Sequence, residues 1–269
     1  MLPVLFLAVA YTFQLSTSYP LPSLIYYDAN NDLHIIREWY NMVKIPIDET
    51  TSMMQLNNEA SNKPVGSRML EYLKRVTQWQ YQSKCASVPG LTLAECLAVQ
   101  MYTDGFYKEY NNAMTNRNWK PYRVYTTIVM SALRKLSKID PVPPGYTLYR
   151  GINFKATPPT SKRIVWKALT STSLNIAVAK QFAGKNGMIF RFKPPSSRFA
   201  AKVSKLSRYN QDEVLLFPFE AFDLLFVDKW GGFNFKTSKT QSLLAHSYCT
   251  PNSLEWACFR KGLCSAIAC

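Results

Sequence analysis

The sequence predicts an α+β protein in which a helical N-terminal lobe packs on a core of two mixed or antiparallel sheets. Apolar residues recur at helical spacing before residue 140, whereas short β-prone segments follow it. The proline-rich segment 140–145 separates these two parts and ends the last long helix. A run of helices followed by a run of strands is typical of the α+β class.

Length and composition allow one large domain with a sizeable core. The 269 residues are 47% hydrophobic and 18% charged, as in a globular protein. We expect a signal peptide at 1–18, because its apolar start is too short to span a bilayer and small polar residues end it; a buried strand or helix is the alternative. The mature chain then divides into a helical lobe (19–140), a β core (141–228) and a cysteine-rich extension (229–269).

Helices are predicted where apolar side chains recur every three to four residues. These segments are 33–43, 67–80, 92–102, 106–114 and 121–139. Pro121 suits the first turn of the last helix, and its aromatic stripe is more often core than binding surface. Residues 57–64 are expected to form a loop.

Strands are predicted where apolar and polar residues alternate or β-branched residues cluster. These segments are 146–150, 163–172, 187–193, 199–203, 212–217 and 224–228. One helix is expected among them at 174–182, with Ser173 as a natural N-cap and Gly184 as its stop.

The cysteines indicate an oxidising compartment. The chain has an even set of six, and Cys85 and Cys96 are close enough to close a local loop. The other four lie within residues 249–269 and are expected to hold the C-terminal tail together through disulfides. His246 with these cysteines could be drawn as a zinc site, but no C-x2-C pair occurs, so we expect no metal.

The charge balance predicts an anionic ligand or partner. The formal net charge is +15, and residues 141–211 contain thirteen lysines and arginines but no acidic residue. A solvated basic face without a partner is the alternative. Nucleic acid is possible, although no helix-turn-helix, RNP-type or zinc-finger pattern supports it.

A polar turn leads into an apolar run at residues 207–220. If a strand begins at Asp212, Gln211 and Glu213 project to the same face and Asp212 to the opposite one. An amide beside a carboxylate at the mouth of a buried strand suggests a site. The alternative is a strand that simply begins at a polar loop.

Three polar motifs occur in order on predicted strands. They are Tyr149-Arg150-Gly151, Ser171-Thr172-Ser173 and Gln211-Asp212-Glu213. With their flanks at 166–170 and 214–220, this set resembles the R-S-E class of mono-ADP-ribosyltransferases, and among these the secreted and cell-surface animal ecto-enzymes. Residues 101–103, Tyr107, 110–112 and the helix 122–136 resemble that family's helical lobe. The likeness covers about 95–228, so 19–228 is expected to be the ADP-ribosyltransferase domain.

The resemblance implies a function. The family cleaves the nicotinamide–ribose bond of NAD⁺ and passes ADP-ribose to an acceptor. Glu213 matches its catalytic glutamate, expected to hold the ribose 2′-hydroxyl; Ser171 matches the serine that orients the glutamate and ribose; Arg150 matches the arginine that binds the NAD phosphate. The remaining candidates are Tyr149, Gly151, Thr172, Ser173 and Phe182 for NAD⁺, and Tyr209 with Gln211 for the acceptor.

Gln211 departs from the arginine-modifying relatives, which carry glutamate at that position. A neutral amide cannot serve as base or ion-pair partner for a guanidinium. Protein arginine is the family's default acceptor, and we expect poor transfer to it. The alternatives are transfer to another residue or to nucleic acid, plain NAD⁺ hydrolysis, and a secreted binding protein without catalysis.

The last residues lack the apolar tail that a lipid-anchor signal needs. We therefore expect a secreted, extracellular monomer without a membrane anchor.

Overall fold

The computed structural model describes most of the chain between residues 26 and 237. The described residues are 26–28, 33–43, 48, 50–62, 66–155, 163–193, 200–209, 211–219, 221–227 and 232–237. The expected signal peptide and the four C-terminal cysteines lie outside them.

Up to residue 139 the described chain is almost entirely helical. The helices are α1 (Leu33–Val43), α2 (Ser52–Ser61), α3 (Gly66–Val76), α4 (Trp79–Ala86), α5 (Leu93–Met101), α6 (Tyr107–Thr115) and α7 (Arg123–Ile139). A capping box begins α5, in which Thr92 and Glu95 each accept a hydrogen bond from the other's amide. A π-helical turn (Tyr102–Phe106) links α5 to α6, and Gly105 allows its kink with a φ of +126°.

The apolar stripe of α7 is core, as predicted. Tyr125 is fully buried, and the ring centroids of Phe106 and Tyr110 lie 4.9 and 5.0 Å from its own in edge-on arrangements. Its hydroxyl donates to the carbonyl of Ala98, which ties α7 to α5 at 3.1 Å. These two helices form the centre of the helical lobe.

The helix α2 replaces most of the loop expected at 57–64, so that prediction was wrong. Its sequence is polar, but Leu56 and Ala60 are fully buried on one face. Glu59 accepts hydrogen bonds from two amides in the first turn of α7, at 2.6 and 2.7 Å. Tertiary contacts therefore stabilise a helix that apolar spacing alone does not indicate.

The single helix expected at 67–80 is two helices, α3 and α4, separated at residues 77–78. The hydroxyl of Thr77 donates to the carbonyl of Lys74 at 2.8 Å and so satisfies a group at the end of α3. A disulfide between Cys85 of α4 and Cys96 of α5 confirms the expected local bridge.

The strands follow the proline-rich segment. They are β2 (Leu148–Ile152), β3 (Arg163–Trp166), β4 (Thr170–Ser173), β5 (Met188–Lys193), β6 (Ala200–Lys202), β7 (Glu213–Leu216), β8 (Ala221–Val227) and β9 (Phe233–Thr237), with β1 (Tyr26–Asp28) contributed from the N-terminal side. Their hydrogen-bonded order is β1-β3-β8-β9-β5-β2-β4-β7-β6. Among these described strands β5 and β9 pair in parallel and the other pairs are antiparallel, so the predicted mixed sheet and α+β class are confirmed.

The two expected layers come from one hydrogen-bonded sheet that curls on itself. Trp166 and Phe222, near one end of the strand order, share a buried apolar cluster with Ala200 and Leu216 at the other end. Residues of β6 and β7 on the opposite face, such as Ala201 and Leu215, pack instead into the core of the helical lobe.

Three boundaries differ from the sequence expectation. The predicted strand 163–172 is divided into β3 and β4, because the chain bends at 167–169 and passes from one half of the sheet to the other. β1 joins the sheet from the part expected to be helical. β9 lies beyond 228, where we expected the core to end, and pairs between β8 and β5.

The helix α8 (Ile176–Ala183) packs its backbone directly against β2 at Gly151. A Cβ on Gly151 would overlap the carbonyl of Ala179, so any larger residue must push the helix away from the strand. The requirement for glycine at this position is therefore one of packing, whatever else the residue contacts.

Gly151→Ala is expected to lower the free energy of unfolding by about 3 kcal/mol, because the overlap is with backbone that cannot rotate aside. Gly145→Ala is the control, since Gly145 faces open space and its φ of +84° adds only backbone strain of about 1 kcal/mol. Urea unfolding of both variants measures the difference. Equal losses would contradict the close approach of α8.

Candidate functional site

A cleft of about 480 Å³ opens between the helical lobe and the sheet. The lobe contributes α3, the π-helical turn and α6; the sheet side contributes β2, β4, α8 and the loop between β6 and β7. Every residue that the sequence assigns to the site lines this cleft: Tyr149, Arg150, Gly151, Ser171, Thr172, Ser173, Phe182, Tyr209, Gln211 and Glu213. The sequence motifs are thus brought together at one place.

Arg150 and Ser171 are joined across β2 and β4. These strands pair at Tyr149 and Ser173, and the Nη1 group of Arg150 donates to the carbonyl of Ser171 at 2.9 Å. Burial lowers the pKa of Arg150, while Tyr102, Tyr107 and Glu213 oppose that change. A fixed guanidinium beside a half-buried carboxylate can bind an anionic ligand in the cleft.

Gln211 and Glu213 both face the cleft, but not for the reason that sequence alternation suggested. The strand β7 begins at Glu213, and Asp212 has a φ of +46°, which aspartate tolerates better than most residues. Asp212 is exposed and its carbonyl accepts from the amide of Leu174 at 3.3 Å. A left-handed residue, rather than strand pleating, sets the two side chains side by side.

Ser173 does not cap α8, so the predicted N-cap was wrong. Asn175 is the cap, and its side chain accepts from the amide of Ala177 at 2.9 Å. The hydroxyl of Ser173 accepts from the amide of Asn175 and donates to the carbonyl of Gln211 at 2.6 Å. Ser173 therefore fixes the backbone that carries Gln211. Gly184 ends α8 with a φ of +58°, as expected.

Thr172 makes a second link of this kind between the site strands. It is buried, and its hydroxyl donates to the carbonyl of Val214 in β7 at 2.7 Å. The register of Ser171 opposite Leu215 and of Ser173 opposite Glu213 is thereby reinforced.

Burial raises the pKa of Glu213 above its ordinary value. Hydrogen bonds from the hydroxyls of Ser207 and Ser171 and the charge of Arg150 act in the opposite direction. The Ser207 hydroxyl lies 3.0 Å from Oε2 of Glu213. The carboxylate thus sits in a setting where charge interactions are stronger than in water.

Three aromatic side chains are open to solvent at the cleft. Phe182 at the end of α8 is 56% exposed, Tyr209 in the β6–β7 loop 49% and Tyr107 at the start of α6 39%. The exposure of the Phe182 ring excludes a buried packing role for it in α8. Exposed aromatic rings at a cleft suit a planar ligand.

Several residues of the cleft were not assigned to the site from the sequence. They come from the helical lobe: Tyr72, Thr103, Asp104, Gly105, Tyr107, Lys108 and Asn111. The segment 103–105 separates the helices predicted at 92–102 and 106–114, and its π-helical turn brings Asp104 to the cleft. π-helical turns are frequent at functional sites, and a short break between two helices was the available signal.

Asp104 ties the β6–β7 loop to the helical lobe. Its side chain is fully buried and accepts from Arg208 of the loop at 2.6 Å and from Arg75 of α3 at 3.1 Å. Arg208 precedes Tyr209, so this carboxylate fixes the segment that presents that ring to the cleft.

Asp104→Ala is expected to release the loop and to lower the free energy of unfolding by about 2 kcal/mol, less than a fully buried pair would lose because both guanidinium groups are partly exposed. Trypsin should then cleave after Arg208 faster than in the wild type. Asp140→Ala is the matched control, because Asp140 also contacts two cations, Lys202 and Lys205, at the surface. Similar cleavage rates in both variants would contradict the assignment.

The described residues contain no group of three or more histidine, cysteine or acidic side chains that could hold a metal ion. Nor does any helix among them have the length and apolar character needed to cross a membrane.

Comparisons with known proteins agree on one family. A sequence model described as NAD:arginine ADP-ribosyltransferase matches residues 47–234. Among solved structures, a mutant of the eukaryotic mono-ADP-ribosyltransferase ART2.2 in complex with NAD is similar with a TM-score of 0.58 and 16% identity, over 70% of this chain and 84% of that one. A second ART2.2 mutant, in complex with NADH, gives 0.51 and 16% over 80% and 91%. A search of curated proteins finds no match.

The likeness to ART2.2 concerns the fold, because identity is low. The family match covers more than half of the chain and includes the three polar motifs of the cleft. The chain therefore belongs to the NAD:arginine ADP-ribosyltransferase family and is an NAD⁺-dependent mono-ADP-ribosyltransferase.

Proposed function

We propose that this enzyme cleaves the nicotinamide–ribose bond of NAD⁺ with Glu213 as its catalytic carboxylate, and that it transfers ADP-ribose poorly to arginine. One observation carries the proposal: a single cleft holds Glu213 with Arg150 and Ser171, beside a neutral Gln211. Glu213, Arg150 and Ser171 offer the carboxylate, the phosphate-binding group and the orienting hydroxyl that bond cleavage needs. Gln211 lacks the negative charge that would pair with a guanidinium acceptor.

The cleavage step places positive charge on the ribose, as in glycoside hydrolysis. An ionised Glu213 stabilises that charge more strongly than it stabilises the neutral ground state, and this difference accelerates the step. Its partial burial strengthens the effect, because water screens the interaction less. Hydrogen bonds from Ser171 and Ser207 favour the ionised form against the effect of burial and orient the carboxylate.

Arg150 is proposed to hold the pyrophosphate. Its guanidinium is already fixed by the Ser171 carbonyl, and a planar fork of donors suits phosphate oxygens. The exposed ring of Phe182 supports a stacking role toward nicotinamide, and Tyr149, Gly151, Thr172 and Ser173 line the same wall. A cleft of about 480 Å³ with these groups fits a dinucleotide bound partly in the open.

The acceptor side is proposed to consist of Tyr209 and Gln211. Gln211 offers an amide that can exchange hydrogen bonds but cannot ion-pair with arginine. The exposed Tyr209 ring provides a flat contact surface for an acceptor. We propose that ADP-ribose passes to a non-arginine protein group, to nucleic acid or to water.

Labelled NAD⁺ distinguishes these acceptors. The folded protein is incubated with an arginine-rich protein, with DNA, or without an added acceptor, and both released nicotinamide and bound label are measured. We expect nicotinamide in all three samples and little label on arginine. Absence of nicotinamide release would overturn the proposed NAD⁺ cleavage and the roles given to its residues. Strong labelling of arginine would overturn the acceptor assignment alone.

We further propose that the mature protein acts outside the cell. The disulfide between Cys85 and Cys96 supports an oxidising compartment, and the apolar first residues support a cleaved leader. Expression of the full chain in animal cells should deliver it to the medium with an N-terminus near Tyr19. Retention inside the cells would contradict this.

A further inference from the structure

Ser207 lies in the β6–β7 loop, six residues before Glu213, and is almost fully buried with 2% of its surface exposed. Its hydroxyl oxygen accepts from the amide of Tyr209 at 3.2 Å and lies 3.0 Å from Oε2 of Glu213. A serine hydroxyl has one proton, and an ionised carboxylate can only accept. The proton of Ser207 is therefore directed at Glu213.

The backbone of Ser207 is fixed independently of Glu213. Its carbonyl accepts from Nζ of Lys84 in α4 at 2.7 Å, and its amide donates to the carbonyl of Val203 at 2.8 Å. The next residue, Arg208, is bound to the buried Asp104. The loop is thus held to the helical lobe at the Ser207 carbonyl and at the next residue, Arg208.

The same loop carries the proposed acceptor residues. Tyr209 and Gln211 line the cleft, and the amide of Tyr209 is one of the two partners of the Ser207 hydroxyl. We propose that Ser207 is a positioning residue that holds the Glu213 carboxylate from the β6–β7 loop, so that the orientation of Glu213 depends on the position of this loop. The inference rests on the proposed role of Glu213.

Two consequences follow from this geometry. A donor to the ionised form of Glu213 favours that form, so its loss must raise the pH needed to ionise the group. Loss of the donor also leaves one carboxylate oxygen without this fixed partner, and a misplaced carboxylate stabilises the transition state less. A hydrogen bond of ordinary strength corresponds to roughly a tenfold change in rate.

Ser207→Ala is expected to lower kcat for NAD⁺ cleavage about tenfold, with little change in KM, and to move the acidic limb of the pH–rate profile to higher pH. Ser207→Cys, which keeps the size but donates weakly, should lie between wild type and alanine. Ser137→Ala is the matched control, because Ser137 is also buried but its hydroxyl donates to a carbonyl of its own helix α7. The control should keep both kcat and the pH profile.

The outcomes separate positioning from general stability. A purely structural serine would reduce the yield or melting temperature without moving the acidic limb, and that result would overturn the proposal. A ¹³C titration of the Glu213 carboxyl in wild type and Ser207→Ala needs no turnover. It should show a higher pKa in the variant even if wild type fails to cleave NAD⁺, in which case only the proposed function is lost. Identical titration curves would refute the role of Ser207.

Discussion

Glu213→Gln should lower the rate of NAD⁺ cleavage by on the order of 10²–10³-fold while the protein stays folded. Glutamine has nearly the shape of glutamate and can still pair with the hydroxyls of Ser171 and Ser207. It lacks the negative charge that stabilises the developing charge on ribose. Because burial already raises the pKa of Glu213, the neutral residue should be tolerated without a loss of stability.

Released nicotinamide measures the rate, and urea unfolding measures the fold. Glu71→Gln is the control, because Glu71 is an exposed carboxylate of α3 that pairs with Arg75 and does not line the cleft. It should retain activity. A Glu213→Gln enzyme as fast as the wild type would remove Glu213 from the mechanism and, with it, the assignments of Ser171 and Arg150 that depend on it.

The residues that line the cleft could be predicted to lie together because each motif is local and lies in or next to a strand. Arg150, Ser171 and Glu213 are widely separated in sequence, yet the register of β2, β4 and β7 brings them to one cleft. The order of the motifs along the chain carried that information. The broad α+β plan was predictable for a related reason, since apolar periodicity reports directly on which face of an element is buried.

The contacts that support the site could not be predicted in the same way. The structural role of Asp104 depends on its ion pairs with Arg75 and Arg208, which lie 29 and 104 residues away in the chain. Ser207 depends on Lys84, 123 residues distant. The helix α2 is similarly stabilised by Glu59, which accepts from two amides at the start of α7. No local pattern encodes such pairs, because the partners meet only when distant segments of the chain pack together.

The left-handed backbone of Asp212 is another feature that the sequence pattern did not predict. Strand alternation placed Gln211 and Glu213 on one face, and they do share the cleft, but the positive φ of Asp212 produces that result. The strand begins one residue later than predicted. The position of Gln211 is therefore set by turn geometry and by the hydroxyl of Ser173, which makes it a distinct element of the site.

Gln211→Glu should raise transfer of ADP-ribose to an arginine-rich peptide roughly ten- to a hundredfold, the range expected when a neutral hydrogen bond becomes one to a charged group. The backbone of Gln211 is fixed by Ser173, so the new carboxylate should occupy the place of the amide. Arg208 is already bound to Asp104, which leaves the new charge available to an incoming guanidinium.

The substitution should also change the pH dependence of NAD⁺ cleavage. A second carboxylate beside Glu213 makes ionisation of both less favourable, so the pKa of Glu213 rises further and the acidic limb moves to higher pH. Gln82→Glu, which adds the same charge on exposed α4 away from the cleft, should alter neither property. If Gln211→Glu cleaves NAD⁺ normally but gains no arginine transfer, the acceptor must be selected by residues other than the one at 211, and the Tyr209 ring becomes the first to vary.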